Sequence, residues 1–248
     1  MSTALMYTQT APLSKTRHAQ YSVQFDGNYA FAEKLTSLPL LTAEFSHAAR
    51  DYAIVFVGNA EQNNLMPVVL VGIQQANLFL SAAGQWNASY IPAIVRQYPF
   101  VLASQPDQQT QYTLCLDEGF AGCNQTGQGA RLFTDAGEPS DYLQSRIEFL
   151  KQCQTELQRT QQFARLLHEF GLLEPWIANL TLPSGEKIKL DGFMSVDRDK
   201  LKALSAEQLA QLVAVDAMEL IYLHLQSMTN FTAIGKLIAQ NAESLQLN

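Results

Sequence analysis

The chain has 248 residues, of which 47% are hydrophobic and 16% are charged, and its formal net charge is −7. A chain of this length and apolar content can bury a large core, so the composition excludes intrinsic disorder. The 16 basic residues are scattered along the chain, so we expect neither nucleic acid nor an anionic membrane surface as a partner.

Three features predict a cytoplasmic protein. The first ten residues contain neither a basic segment nor an apolar run long enough for a signal peptide. Apolar stretches such as residues 66–73, which contain Pro67, are far too short to span a bilayer, so we expect no membrane insertion. Three cysteines leave one unpaired in any intramolecular scheme, so a disulfide framework is not expected.

The N-terminal part of the chain shows little periodicity. Residues 1–20 are polar and predict a loose arm, followed by a single domain over residues 21–248. Residues 31–41 are more typical of a covering loop than of a helix. Three short apolar runs follow, and their spacing is too short for a crossover helix, which favours an antiparallel meander. These predicted strands are residues 52–57, 67–73 and 77–81.

Two further runs, residues 100–103 and 112–116, are expected to extend the same sheet. Five glycines between residues 117 and 137 predict a long loop. An apolar stripe over residues 141–170 predicts a helix, with a bend or break expected near residues 158–162 because of its length.

The C-terminal part carries clearer local signals. Residues 176–182 and 186–196, separated by a Pro183-Ser184-Gly185 turn, predict a β-hairpin. The residues from Ser205 to Gln208 form a capping box that opens a helix, and a last helix follows Asn230. We therefore expect an α+β fold, mainly an antiparallel meander sheet covered by C-terminal helices, with a late hairpin.

Several strings of the sequence resemble the pattern of the SapC family, from roughly residue 30 to the end of the chain. The most distinctive is GQWNASYIPAIVRQYPF at residues 84–100. The others are AIVF at 53–56, PVVLVG at 67–72, NLF at 77–79, LFTDAGEPS at 132–140, TQQF at 160–163 and LDGFMSVDRDKLKALS at 190–205.

The resemblance implies a biological setting rather than a chemistry. The family takes its name from an association with the secretion of bacterial surface-layer protein. Many relatives occur beside TonB-dependent receptors and flavin-dependent proteins that resemble tryptophan halogenases. The resemblance brings no agreed catalytic residues to carry over to this chain.

The segment around Arg96 is the first candidate site. Trp86, Tyr90, Tyr98 and Phe100 surround this single cation, and such a cluster can hold a peptide, an aromatic ligand or a partner's helix by stacking and cation–π contact. The alternative is structural: a short helix started by Pro92 packs its aromatic residues over the sheet. Arg96 would then pair internally with a carboxylate such as Asp117.

Two acidic groups are candidates for acid–base chemistry. Asp117 and Glu118 follow a predicted strand, where polar residues are also expected for structural reasons. Asp135, Glu138 and Asp141 lie where carboxylates commonly stabilise the start of a helix. We consider the structural explanation the better one for both groups.

No motif predicts a metal, a cofactor or a catalytic nucleophile. The four histidines are far apart in the sequence, although His168 and His224 lie on predicted helices that can meet in the fold. The glycines at positions 119, 122, 127 and 129 match neither nucleotide-binding fingerprint, and we interpret them as a mobile loop where a lid would sit.

These observations leave two main hypotheses and one addition. The first is a non-catalytic accessory or binding protein of an envelope, secretion or TonB-linked uptake system, with a protein or peptide partner. The alternative is an enzyme or enzyme subunit with a site around Arg96, Asp117 and the glycine-rich loop, which would assist a flavin-dependent, halogenase-like partner. In addition, homo-oligomerisation through the helix over residues 141–170 is possible, because its other face is rich in glutamine rather than charge.

Overall fold

A computed structural model describes residues 6–62, 64–105, 108–181, 185 and 187–246. The first half of the chain contains these elements: β1 (Thr10–Pro12), α1 (Lys15–His18), β2 (Ser22–Val23), β3 (Ser37–Pro39), α2 (Phe45–Ala48), β4 (Ala53–Val57), β5 (Met66–Leu70), β6 (Gly72–Ile73), β7 (Ala76–Asn77), α3 (Ala93–Arg96), β8 (Phe100–Gln105) and β9 (Gln108–Asp117). The second half contains β10 (Cys123–Asn124), β11 (Ala130–Arg131), α4 (Asp141–Glu169), β12 (Leu173–Thr181), β13 (Lys187–Val196), α5 (Arg198–Lys202), α6 (Ala206–Ala214), α7 (Ala217–Ser227) and α8 (Phe231–Gln246). The predicted α+β class is confirmed.

The largest sheet is antiparallel, with the strand order β12-β13-β4-β5-β3. Its middle strand β4 is buried on both faces: Ala53, Ile54, Val55 and Phe56 are each fully buried. Helix α4 contacts β5, and α7 contacts both β4 and β13, which accounts for this burial. A continuous apolar run, rather than an alternating one, is what such a doubly covered strand requires.

The predicted meander is right for its first two strands and wrong beyond them. β4 and β5 pair as expected, from Ala53 with Leu70 to Val57 with Met66. Residues 77–81 do not form a third strand of this sheet. The chain turns back instead through β6 and β7, which form a separate two-stranded ribbon. The third neighbour is β3, which lies within residues 31–41, a segment predicted to be a covering loop.

Residues 100–103 and 112–116 do not extend the large sheet, contrary to the prediction. They belong to β8 and β9, which pair with each other and, through β9, with β1. This second sheet has its own apolar cluster. The fully or nearly fully buried members of that cluster include Phe100, Leu116, Leu132, Leu143 and Leu150.

Helix α4 is one continuous helix of 29 residues, so of the bend or break expected near residues 158–162 the break does not occur, and the bend stays a prediction. Its first half packs on the second cluster through Leu143 and Leu150, and its second half packs on the main core through Phe163, Ala164 and Leu167. One apolar stripe of a continuous helix therefore serves both cores. This gives the stripe an internal role, and self-association through α4 stays a prediction.

Two other segments differ from their sequence-based description. The glycine-rich stretch between residues 117 and 137 contains β10 and β11, which both pair with β2. Within residues 1–20, the described part is packed: Met6 is 1% exposed and β1 pairs with β9. The division into an arm and a domain at residue 20 stays a prediction, and residues 1–5 lie outside the described residues.

The C-terminal predictions are confirmed. β12 and β13 form the late hairpin, although Pro183 and Ser184 of its turn lie outside the described residues. Ser205 and Gln208 form the capping box of α6, and α8 begins directly after Asn230. Among the described residues, no helix combines the length and the apolar character needed to cross a membrane.

Candidate functional site

The segment over residues 84–100 folds largely as the structural alternative predicts. Pro92 precedes the short helix α3, as expected for a proline-started turn. Val95 of this helix is buried in the main core, and Phe100 is buried in the second cluster. The segment therefore crosses from one core to the other, and most of its apolar residues serve packing.

Trp86 and Tyr90 are linked by the hydroxyl of Tyr52. The indole N–H of Trp86 donates to Tyr52 Oη at 2.7 Å, and the Tyr52 hydroxyl donates to the carbonyl oxygen of Tyr90. Tyr52 is fully buried, and this burial raises its pKa. The polar atom of Trp86 is thus used inside the protein.

Tyr90 connects Arg96 to a buried carboxylate. The Tyr90 hydroxyl donates to Glu44 Oε1 at 2.8 Å and accepts from Arg96 Nη2 at 3.0 Å. Glu44 also accepts from the backbone N–H groups of Leu41 and Ala93. Burial raises the pKa of Glu44 despite these three donors. All this leaves Glu44 without an accessible role in acid–base chemistry.

Arg96 itself is exposed and has no ion pair with a carboxylate within the described part of the chain. Its Nε donates to the carbonyl oxygen of Ile91 at 2.8 Å. The expected pairing with Asp117 does not occur. Arg96 also lies outside the clefts described below.

Asp117 anchors the N-terminal segment instead. Its carboxylate accepts from the backbone N–H groups of Thr8, Gln9 and Gly119 at 2.9, 2.7 and 3.1 Å, and from the Tyr98 hydroxyl at 3.0 Å. Burial alone would raise the pKa of Asp117, but these hydrogen bonds outweigh it and the pKa is lowered. The Thr8 hydroxyl also donates, at 3.4 Å, so this ionised carboxylate is a structural centre whose lone pairs are taken up by internal donors.

The other acidic candidates form ion pairs within the protein or lie at the start of a helix. Glu118 binds Arg17 through both oxygens, at 2.7 and 2.6 Å, and contacts His18 at 3.0 Å. The hydrogen bond from Arg17 lowers the pKa of Glu118. Asp135 pairs with Arg131 at 2.7 Å, and Asp141 begins α4 as the structural explanation predicted.

Tyr98 lies in a cleft of about 600 Å³ that the sequence did not reveal as a unit. We call it the aromatic cleft. The ring of Tyr98 stacks on Phe31 with centroids 4.1 Å apart, and Phe120 meets Tyr98 edge-on at 5.2 Å. Phe25 is 45% exposed and lies 6.4 Å from Phe120. The remaining lining residues are Met6, Thr8, Gln24, Asp26, Asn28, Ala30, Glu33, Lys34, Gly119, Ala121 and Gly122.

Two glycines allow the walls of this cleft to meet. A Cβ on Gly119 would lie 2.1 Å from Thr8 Oγ1, and one on Gly122 would lie 1.9 Å from the carbonyl oxygen of Gln24. The N-terminal end of the glycine-rich segment, at Gly119 and Gly122, is therefore a closely packed wall of the cleft.

Sequence reasoning missed Phe31 and Phe120, which line the cleft, as site residues. They come from separate parts of the chain, and no spacing rule links them. One signal was available in the sequence: aromatic residues recur within the largely polar residues 21–34, at positions 21, 25, 29 and 31. Tyr29 contacts Trp86 at 5.8 Å, so the predicted cluster continues into the aromatic cleft.

Two other large clefts contain none of the predicted site residues. One, of about 720 Å³, lies between α4 and the start of α7. The other, of about 790 Å³, lies between β13 and the β6–β7 ribbon.

His168 and His224, which the sequence places on helices that can meet, have separate environments. His224 is fully buried and bonded to Val196 and Ile54, whereas His168 is exposed on α4. Among the described residues, no group of three or more metal-ligating side chains converges.

Comparison with known proteins gives one match. The model of the family described as SapC matches residues 13–234. No curated protein and no solved structure matches the chain significantly.

Proposed function

The chain belongs to the SapC family, and from that premise we propose that it is a cytoplasmic, non-catalytic accessory protein that binds a protein or peptide partner. We propose a partner from an envelope, secretion or TonB-linked uptake system, and what supports this is the association of similar proteins with surface-layer secretion and TonB-dependent receptors. The aromatic cleft is the proposed contact site.

One contrast carries the proposal. The buried candidate acids Glu44 and Asp117 are saturated by internal donors, whereas the aromatic rings of the cleft border about 600 Å³ of open space. An enzyme site needs titratable groups that converge on one cavity. Here they are distributed over separate structural contacts, so the geometry supports binding better than catalysis.

The rim of the cleft indicates the chemistry of the partner. Asp26, Glu33 and Lys34 are exposed at the rim, which gives it two negative charges and one positive charge. Rings such as Phe31 and Phe120 favour aromatic or apolar side chains. We therefore propose a polypeptide segment that places an aromatic or apolar residue in the cleft and a basic residue near Asp26 and Glu33.

The thiols support the proposed compartment. Cys115, Cys123 and Cys153 are all free, as is usual for proteins of a reducing compartment. Burial raises the pKa of Cys123 to about 12 and that of Cys153 to about 11, so these thiols are protonated at neutral pH and poorly reactive.

Photo-crosslinking in living cells of the native host tests the proposal. A benzoylphenylalanine in place of Gln24, an exposed residue of the cleft, is expected to give a discrete cross-linked product that contains an envelope or uptake component. The control carries the same residue in place of Tyr222, which is 53% exposed on α7. No product from position 24, or the same products from both positions, would count against the proposal.

A further inference from the structure

We infer that Arg96 and Arg146, which share the ring of Phe149, form a binding site for a multiply charged oxyanion such as a phosphate group. The guanidinium carbons of the two arginines lie 5.2 and 5.6 Å from the centre of this ring. Neither arginine lines the aromatic cleft, so this site is independent of the proposed partner contact.

Arg96 is held in a fixed orientation although it is exposed. Its Nε donates to Ile91 O, its Nη2 donates to Tyr90 Oη, and its guanidinium lies 5.5 Å from the centre of the Tyr90 ring. A guanidinium has five N–H donors. Two are used internally, so three are available in a defined direction, which lowers the entropy lost on binding a ligand.

Arg146 comes from a different element, and one of its buried donors lacks a hydrogen-bond partner among the described residues. It lies on α4, where Tyr142 and Phe149 occupy the same helical face, and its guanidinium lies 5.8 Å from the Tyr142 ring. Its Nε is buried and has no hydrogen-bond partner within the described residues. A buried donor without a partner costs about 1–3 kcal/mol, so such groups call for an explanation.

The two arginines bring two positive charges to one ring. Three of the eight arginines, Arg17, Arg131 and Arg159, are paired with carboxylates among the described residues. Arg96 and Arg146 form no ion pair within the described part of the chain, even though the chain has 23 acidic residues. Two like charges around one ring repel each other, and a bound oxyanion would offset this repulsion.

Two carboxylates that contact Tyr90, the neighbour of Arg96, are already engaged. Glu44 reaches Arg96 only through the Tyr90 hydroxyl. Asp51 accepts hydrogen bonds from the N–H groups of Ser89 and Tyr90 and from the Ser89 hydroxyl. A phosphate group is the anion inferred here because arginine forks bind its oxygens bidentately, and because the flanking rings hold each guanidinium by cation–π contact.

Calorimetric titration of the full chain with pyrophosphate tests this site, with sodium chloride added to keep ionic strength constant. The wild type is expected to show saturable binding. Arg96→Gln and Arg146→Gln are each expected to weaken it at least fivefold. Arg131→Gln, which removes the same charge from a paired and partly exposed arginine, is expected to bind as the wild type does.

The inference is overturned if the wild type shows no saturable binding, or if all three variants bind equally well. A second measurement needs no variant and therefore does not depend on their folding. The side-chain Nε–Hε resonances of Arg96 and Arg146 are expected to shift on addition of pyrophosphate, while that of Arg131 stays in place. Equal shifts for all three arginines would contradict a specific site. Either result leaves the cross-linking test of the aromatic cleft unaffected.

Discussion

At the scale of single residues, buried polar side chains hold distant segments of the chain together. Asp117, with its five donors, ties the N-terminal segment to the end of β9. His224 joins β4 to β13: its Nδ1 contacts Ile54 O at 2.8 Å, and its Nε2 accepts from Val196 N at 3.1 Å. Both residues have perturbed pKa values for structural reasons, so a perturbed pKa does not identify a catalytic group here.

Replacing Asp117 with asparagine is expected to destabilise the fold by about 2–3 kcal/mol, because one acceptor oxygen becomes an amide that faces N–H donors. Urea denaturation measures this loss. Limited trypsin digestion should also cut faster after Lys15 and Arg17, near the released segment. The control is Asp135→Asn, since Asp135 is 92% exposed in its ion pair and should change stability by less than about 0.5 kcal/mol. Equal stability of the two variants would contradict the anchoring role.

His224 predicts a dependence of stability on pH. Burial lowers the pKa of His224 to about 4 in the folded protein, against about 6.5 for an unfolded chain. As pH falls below about 6.5, the unfolded state takes up a proton that the folded state does not. The contribution of His224 is therefore complete above pH 6.5 and is lost as pH falls towards 4, by about 3 kcal/mol.

Urea denaturation at several pH values measures this effect. Between pH 6.5 and 4, the free energy of unfolding of the wild type should fall more steeply with decreasing pH than that of His224→Gln. His168→Gln, which alters an exposed histidine of α4, should keep the wild-type slope. Parallel curves for wild type and His224→Gln would show that His224 does not titrate as described.

At the scale of elements, the distance between neighbouring segments determines whether a glycine can be replaced by alanine. Gly122 lies against the 24–31 segment, and an added Cβ would meet Gln24 O at 1.9 Å and the Phe120 ring at 2.5 Å. Gly235 lies in α8, where an added Cβ would have no neighbour within 4 Å. The same substitution should therefore have opposite effects at the two positions.

Gly122→Ala is expected to lower the free energy of unfolding by about 2 kcal/mol or more, since backbone atoms must move. Gly235→Ala should raise it by about 0.5–1 kcal/mol, because alanine favours a helix interior over glycine. Chemical denaturation of both variants checks the pair. Wild-type stability in Gly122→Ala, or a loss in Gly235→Ala, would show that the described packing is wrong.

At the scale of the whole molecule, the sequence predicted what is local and missed what depends on distant contacts. The hairpin, the capping box at Ser205 and the helix after Asn230 follow from turn, capping and periodicity signals within a few residues. The assignment of β8 and β9 to a second sheet depends on β1, about a hundred residues away. No periodicity reports such a contact.

The same limit applies to the candidate sites. The local contact of Arg96 with Tyr90 follows from their spacing across a proline-started turn. The stack of Phe31 on Tyr98, and the approach of Phe120, require three segments that only the fold brings together. Residue types alone therefore suggested an aromatic cluster but gave neither its cleft nor its full membership.

The central claim is that a partner binds through the aromatic cleft. The most direct test compares the yield of the cross-link from position 24 between the otherwise wild-type protein and proteins that carry a second substitution. Phe25 is 45% exposed and its ring lies 6.4 Å from that of Phe120, which lines the cleft, so Phe25→Ser removes a ring beside the cleft. We predict that this change lowers the yield of the cross-linked product at least fivefold, while Tyr222→Ser leaves it unchanged. An undiminished yield in Phe25→Ser would contradict binding through the aromatic cleft.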